Sequence, residues 1–80
     1  MNIVYVLTSK KYPERYYIGV TSDINKRLDY HNSGDSIYTK KYAPWELETY
    51  IVFKNKLRAA EFERYLKSGS GFAFLKRRLL

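Results

Sequence analysis

Cysteine is absent from this chain of 80 residues. The absence excludes disulfide bonds and thiolate metal ligands, and it fits a reducing compartment. Long apolar runs are absent too, since none approaches the ~20 residues that a membrane-spanning helix needs. The N-terminus lacks the basic segment and the apolar segment of a signal peptide. We therefore expect a cytoplasmic protein that does not enter a membrane.

Acidic residues are scarce: 8 Asp and Glu stand against 15 Lys and Arg, which gives a formal net charge of +7. This balance favours polyanionic partners, nucleic acid first, although a basic surface can also serve solubility alone. The hydrophobic fraction of 45% is enough for a globular core, and a chain of this length predicts a single domain over residues 1–80. Monomer and homodimer both remain open.

Two runs rich in β-branched and aromatic residues, residues 3–8 and Tyr16–Thr21, predict two strands. The polar segment between them contains Pro13 and predicts a turn, so the strands form a hairpin. The hairpin can bring Tyr5 and Tyr17 side by side. A phenol has a pKa near ~10 and, beside cations, can serve in proton transfer or nucleophilic attack.

The rest of the chain predicts helices around a third strand. Ser22 and Asp23 are N-cap residue types before a helix, and Gly34 supplies its stop. The further predicted elements are a helix over Ile24–Asn32, a basic loop over 35–44, a strand over Trp45–Phe53, a helix over 56–67 capped by Asn55 and ended by 68–71, and a short final helix over 72–80. The order β-β-α-β-α-α predicts an α+β domain with a small antiparallel sheet flanked by helices.

The first predicted helix carries polar residues on its apolar side. At 3.6 residues per turn, Arg27 and His31 fall on the side of Ile24 and Leu28. In the helix over 56–67, Glu63 falls on an apolar stripe, which consists of Ala59, Phe62 and Leu66. Such departures from the local pattern are typical of functional sites.

Each of these polar residues also has a structural explanation. A single histidine on an apolar face is usually a hydrogen-bonded core residue, Arg27 can extend its stem across the core edge, and Glu63 can pair with Arg27. Together, however, they favour a site that cleaves phosphodiesters. A carboxylate can hold one Mg²⁺, and a guanidinium can neutralise charge on the transition state. A second carboxylate for a two-metal site and a P-loop are both missing.

Five features occur in a particular order: Tyr5 after Ile3-Val4, then Tyr17-Ile18-Gly19, a helix with Arg27, a closing segment with His31, and residues 59–67 with Glu63. This ordered set resembles the GIY-YIG nuclease family. Ile3-Val4 replaces the Gly-Ile of the first motif, whereas Tyr17-Ile18-Gly19 matches the second motif in full. Val20 replaces a lysine that some members carry, and a late asparagine used by some members is absent.

The resemblance implies a three-stranded antiparallel sheet and hydrolysis of DNA phosphodiester bonds that depends on Mg²⁺ or Mn²⁺. It implies that Glu63, rather than Glu61, holds the metal and that Arg27 binds the scissile phosphate. Tyr17 or Tyr5 would act as, or relay to, the general base, and His31 would orient or deprotonate a tyrosine. The chain closely resembles short stand-alone bacterial members related to the catalytic domain of the excision-repair incision subunit, which implies a role in DNA repair or recombination.

Further residues are candidates for contact with DNA. Gly19 has no side chain, so substrate or a helix can approach its strand closely. The candidate cations are Lys26, Lys40, Lys41, Lys76, Arg77 and Arg78; the last three could also be a helix C-terminus favoured by the macrodipole. Two alternatives to an endonuclease stay open: a nucleic-acid-binding module of the same fold that cleaves weakly or not at all, and a domain that forms a tyrosine adduct or acts on another phosphodiester.

Overall fold

The central strand of the protein is its first, and both other strands pair with it in antiparallel fashion. The computed structural model describes all residues from Met1 to Leu80. Its strands are β1 (Asn2–Ser9), β2 (Tyr16–Thr21) and β3 (Trp45–Phe53), in the order β2-β1-β3. Its helices are α1 (Ile24–Asn32), α2 (Ile37–Lys40), α3 (Lys56–Leu66) and α4 (Gly69–Phe74), followed by a π-helical turn, Leu75–Leu79. The predicted α+β class and three-stranded antiparallel sheet are confirmed.

The two faces of the sheet pack against different helices. Val4 and Val6 point to one face and pack with Ala59 and Leu66 of α3 and with Leu75. On the other face, Tyr5 and Leu7 pack with Trp45, Ile24 and Leu28 beneath α1. Alternation along β1 therefore separates an aliphatic layer from a layer that contains the first tyrosine.

The β1–β2 hairpin forms as predicted and fixes the two tyrosines. Tyr5 lies opposite Gly19, and Leu7 lies opposite Tyr17. Tyr5 and Tyr17 are thus diagonal neighbours on one face, and their ring centroids are 6.3 Å apart.

The predicted helix boundaries are confirmed where a capping side chain marks them. Asp23 caps α1 by accepting from the Lys26 N–H at 3.1 Å, and Asn55 caps α3. Gly34 follows α1 with a φ of +90°, the left-handed conformation that glycine adopts without strain. Every helix in the structure is too short or too polar to span a lipid bilayer.

Two segments of the prediction are wrong: the loop over 35–44 and the start of the last helix. The loop over 35–44 contains the helix α2, which Ser36 caps through its hydroxyl. The segment 68–71 ends α3 but also begins α4, because Ser68 caps a helix that starts at Gly69 rather than at residue 72. A Cβ on Gly71 would collide with the backbone of Tyr65, so glycine allows α4 to turn tightly against the end of α3. Glycine and serine indicated a break here, but the structure uses them for a cap and a close approach.

Asn32 joins the end of α1 to the start of β3. Its side-chain oxygen accepts from the Trp45 N–H at 2.6 Å, and its side-chain nitrogen donates to the Trp45 C=O at 3.1 Å. The Trp45 indole N–H in turn donates to the Thr39 C=O at 2.7 Å. The connection that carries α2 is therefore fastened at both of its ends.

We expect Asn32→Ala to lower the free energy of unfolding by about 1–3 kcal/mol, because it leaves two backbone groups of Trp45 without their partner. Urea unfolding followed by circular dichroism measures the change. Asn25→Ala, at an exposed position of the same helix, is the control and should have little effect. Equal stability of the two variants would mean that the Asn32 bonds do not hold β3 in place.

Candidate active site

The hydroxyl of Tyr5 lies at the centre of a buried hydrogen-bond relay. Tyr5 is fully buried, and its hydroxyl is 2.9 Å from Nε2 of His31, which is also buried. Nδ1 of His31 is 3.0 Å from the hydroxyl of Thr39. When Nδ1–H donates to Thr39, Nε2 carries the lone pair and accepts from Tyr5. The relay thus joins β1, α1 and α2.

Burial raises the pKa of the Tyr5 phenol to about 12. The positive charge of the Arg27 guanidinium lowers this pKa, while Tyr17 and Glu63 raise it further. These influences come from α1, β2 and α3. Tyr17 lies next to Tyr5, with ring centroids 6.3 Å apart, whereas Arg27 and Glu63 act on the phenol through their charges without a direct contact to it. At neutral pH the phenol is protonated and serves as a hydrogen-bond donor.

The imidazole of His31 is held in its neutral form. Burial, and then the positive charge of Arg27, lower the pKa of His31 below its ordinary value of 6.5. Aromatic rings surround it, with the centroid of Tyr17 at 4.6 Å and that of Tyr30 at 5.3 Å. A neutral imidazole bonded to a phenol can accept a proton from it.

Glu63 is half-buried on α3 and pairs with Lys67, one turn further along the same helix. This is the one salt bridge in the structure, so the alternative of a structural ion pair between Glu63 and Arg27 is wrong. No three His, Asp or Glu side chains converge into a cluster that could hold a metal ion. A single carboxylate still fits Mg²⁺, which is often bound by one or two carboxylates while water and substrate phosphate complete its shell.

Gly19 is covered by Tyr5. A Cβ at Gly19 would lie 2.6 Å from Cζ of the Tyr5 ring, closer than real contacts allow. The expected close approach at Gly19 is real, but the chain's own Tyr5, rather than substrate or a helix, makes it. Glycine is needed here because Tyr5 must cross β2 to reach His31.

The predicted DNA-contacting cations fall into different places. Lys26 lies beside Arg27 in a cleft of about 420 Å³ at the start of α1, which Tyr30 also lines. Lys40 and Lys41 are exposed at the end of α2.

The cations of the last turn lie apart from these. Lys76 lines a separate cleft of about 510 Å³ with Glu46 and Glu48, and no candidate catalytic residue lines that cleft. Arg77 and Arg78 are exposed in the same turn. Their contact with DNA stays a prediction.

Thr39 is a residue of the relay that sequence patterns did not single out. It is buried in a helix of one turn, within a segment rich in lysine and tyrosine. Neither periodicity nor a motif marks it, because its role arises only when α2 folds back onto α1. Ser36 offers the one local signal, since a serine three residues before Thr39 can cap a short helix.

Comparison with protein families places this fold in a known class of domain. The family model described as the GIY-YIG catalytic domain matches residues 1–76, and the chain belongs to this family. The predicted family is confirmed.

Individual relatives agree with this membership. A UPF0213 protein of Clostridium perfringens is 38% identical over 68 residues, which cover 84% of this chain and 71% of that protein. The structure-specific endonuclease subunit SLX1 of Malassezia globosa is 35% identical over 65 residues, 76% of this chain but only 15% of that protein. The solution structure of a UPF0213 protein from Bacillus halodurans superposes with a TM-score of 0.56 at 31% identity, covering 96% of this chain and 84% of that one.

We expect the imidazole of His31 to titrate with a midpoint below 6.5, because burial and Arg27 disfavour its charged form. His31 is the only histidine among the 80 residues, so one NMR resonance reports the titration. Its contribution to stability is present above the unfolded pKa and is lost as the pH falls through the folded one.

Arg27→Gln should move this midpoint up towards 6.5, whereas Arg77→Gln, at the chain's exposed C-terminal turn, should leave it unchanged. A wild-type midpoint at or above 6.5 would contradict a buried neutral imidazole.

Proposed function

We propose that this protein is an endonuclease that hydrolyses DNA phosphodiester bonds with the help of Mg²⁺ or Mn²⁺. The observation that carries the proposal is the buried Tyr5–His31 hydrogen bond, whose phenol feels the charges of both Arg27 and Glu63. A cation, a proton acceptor, a phenol and a carboxylate are groups that phosphodiester cleavage can use, and here they come from separate elements of one small domain. Membership of the GIY-YIG catalytic domain family and the likeness to SLX1 support the same reaction.

Arg27 is assigned to the scissile phosphate. Its side chain is half-buried and opens onto the cleft at the start of α1, where Lys26 adds a second positive charge. A guanidinium can donate two parallel hydrogen bonds to phosphate oxygens and keeps its charge at any working pH. Arg27 would therefore bind the substrate and stabilise the charge that develops on it.

The two tyrosines have different positions and therefore different assigned roles. Tyr5 is fully buried and bonded to His31, so we assign this pair to holding and moving a proton in the interior. Tyr17 is only partly buried and its ring packs on His31, so it can meet substrate and water. We assign Tyr17 to orienting the attacking water and the Tyr5–His31 pair to supporting it.

Glu63 is assigned to the metal ion. When bound, Mg²⁺ or Mn²⁺ would withdraw charge from the phosphate and make an attached water more acidic. Without a metal, the Glu63 carboxylate forms an ion pair with Lys67. A metal ion would therefore have to compete with Lys67 for this carboxylate. We therefore expect the metal to bind mainly together with the substrate phosphate.

The same Glu63–Lys67 pair favours a second candidate function. A carboxylate that stays neutralised by lysine would leave a nucleic-acid-binding module of the same fold without metal-dependent cleavage. The net charge of +7 suits that function equally well.

A preference for structured DNA is part of the proposal. SLX1 is named as a structure-specific endonuclease subunit, and we extend that property to this chain. Cleavage at branches or discontinuities would suit a role in DNA repair or recombination.

We expect Glu63→Gln to reduce Mg²⁺-dependent cleavage of branched DNA at least about 100-fold, because the loss of a metal ligand removes several kcal/mol of transition-state stabilisation. Initial rates on a labelled branched duplex, with Mg²⁺ or with EDTA, measure the effect. Glu61→Gln is the matched control, since Glu61 is exposed on the same helix.

DNA affinity of Glu63→Gln should stay near that of the wild type. Equal cleavage rates for the Glu63 and Glu61 variants would reject the metal role. Binding without any cleavage by the wild type would favour the nucleic-acid-binding module.

Tyr17→Phe and Tyr5→Phe should affect cleavage differently. Tyr17→Phe should slow it by about 10²-fold or more, the usual scale for losing a group that handles a proton. Tyr5→Phe should also slow cleavage, and it should shift the pH profile because His31 loses its hydrogen-bond partner. Rates measured across a pH series test both expectations. Full activity of Tyr17→Phe, with loss confined to Tyr5→Phe, would exchange the roles assigned to the two phenols.

A further inference from the structure

We propose that a single-stranded DNA segment binds along a row of tyrosines that leads from the candidate active site to the β1–β2 turn. We call this row, Tyr17, Tyr38, Tyr42 and Tyr12, the tyrosine track. The inference rests on the proposed nuclease function and specifies its substrate: DNA in which a single strand adjoins the cleavage site.

The four rings are consecutive neighbours in space although they come from distant parts of the chain. The centroid of Tyr17 is 6.2 Å from that of Tyr38, Tyr38 is 5.7 Å from Tyr42, and Tyr42 is 5.6 Å from Tyr12. Tyr17 itself packs on His31 at 4.6 Å. The track therefore begins at the proton relay and runs outward over α2.

The outer rings of the track are available to a ligand. Tyr38 is 50% exposed and Tyr12 is 40% exposed, whereas Tyr42 is partly buried between them. Tyr42 packs against Trp45 of the core and so supports the two exposed rings from beneath. Exposed aromatic rings fixed by a rigid base are stacking platforms for bases, and they tolerate any sequence because every base has an aromatic face.

Unpaired cations accompany the rings. The Arg15 guanidinium lies 4.8 Å from the Tyr42 ring centroid, and the Lys11 ammonium lies 5.9 Å from that of Tyr12. Neither forms a salt bridge, since Glu63–Lys67 is the only one in the structure. Aromatic rings interleaved with free cations match a single strand, whose bases stack while its phosphates need positive charge.

The inner end of the track opens onto a cleft. Tyr17 and Tyr38 line it together with Phe72 and the ammonium-bearing Lys67, and its volume is about 270 Å³. Lys67 is the partner of Glu63, so this cleft adjoins the assigned metal ligand. A strand lying on the track would thus deliver its phosphate to the site from the β2 edge of the sheet.

The substrate class follows from this geometry. A continuous duplex keeps its bases stacked on one another and offers none to Tyr38 or Tyr12. A flap, overhang or gap offers unpaired bases on one side of the cleaved bond. The tyrosine track therefore selects DNA by strandedness rather than by sequence.

Fluorescence anisotropy with a labelled oligothymidine of about 20 nucleotides, in EDTA so that no cleavage occurs, tests the proposal. Tyr38→Ala and Tyr12→Ala should each weaken binding of this probe at least about fivefold, the lower range for losing one base-stacking ring. Tyr50→Ala is the matched control, because Tyr50 is 54% exposed on β3 at the opposite edge of the sheet. Tyr38→Phe keeps the ring and should retain binding.

A blunt duplex of the same length supplies the second arm, and its affinity should change little in the track variants. Equal losses on single strand and duplex, or a Tyr50→Ala loss as large as that of Tyr38→Ala, would overturn the proposal. Circular dichroism checks that each variant is folded. If Tyr38→Ala does not fold, Tyr38→Phe is the decisive variant. It keeps the aromatic ring, so weaker binding by Tyr38→Phe would reject base stacking. If the tyrosine track does not bind single strands, the protein can still cleave duplex DNA. If the nuclease proposal is wrong, Glu63→Gln will instead cleave at the same rate as the wild type.

Discussion

The hydrogen bond between the Tyr5 hydroxyl and Nε2 of His31 constrains most of the neighbouring structure. Tyr5 can reach the imidazole only by crossing the adjacent strand, which requires glycine at position 19. The other ring nitrogen of the imidazole is hydrogen-bonded to the hydroxyl of Thr39, which ties α2 to α1. One buried polar contact thus accounts for a glycine in β2, a threonine in a short helix and the packing of two helices, because a buried polar group must be satisfied at every atom.

The candidate site draws on both helical layers and on the sheet between them. Arg27 comes from the layer of α1, Glu63 comes from the layer of α3, and the tyrosines come from the sheet between them. The two opposite charges influence the pKa of the same phenol without pairing with each other, and each is anchored in a different layer. The layered fold therefore keeps the cation and the carboxylate apart, and each stays available to a ligand rather than to the other.

Periodicity predicted the parts of this arrangement that lie on one element. Arg27, His31 and Glu63 stood out because each interrupts an apolar helical face, and the three strands followed from their β-branched and aromatic runs. Thr39 could not be predicted, since α2 is a single turn and its partner lies eight residues away in sequence on another helix. The start of α4 was missed because Ser68 and Gly69 are equally typical of a helix end and of a cap. The choice between these depended on the tight approach of Gly71 to α3, a tertiary contact that no local pattern contains.

Both faces of the central strand β1 are occupied by residues that the structure needs. Its even residues build the aliphatic core and its odd residues build the layer of the relay, so both demands are met by alternate side chains of one short segment. A shift of one residue in the register of β1 would turn each side chain to the opposite face of the sheet. It would disrupt the aliphatic core and the Tyr5–His31 relay together. Insertions and deletions are thereby barred from β1. New substrate preferences in a protein built this way have to arise in its turns and in short helices such as α2, which border the site without forming the sheet.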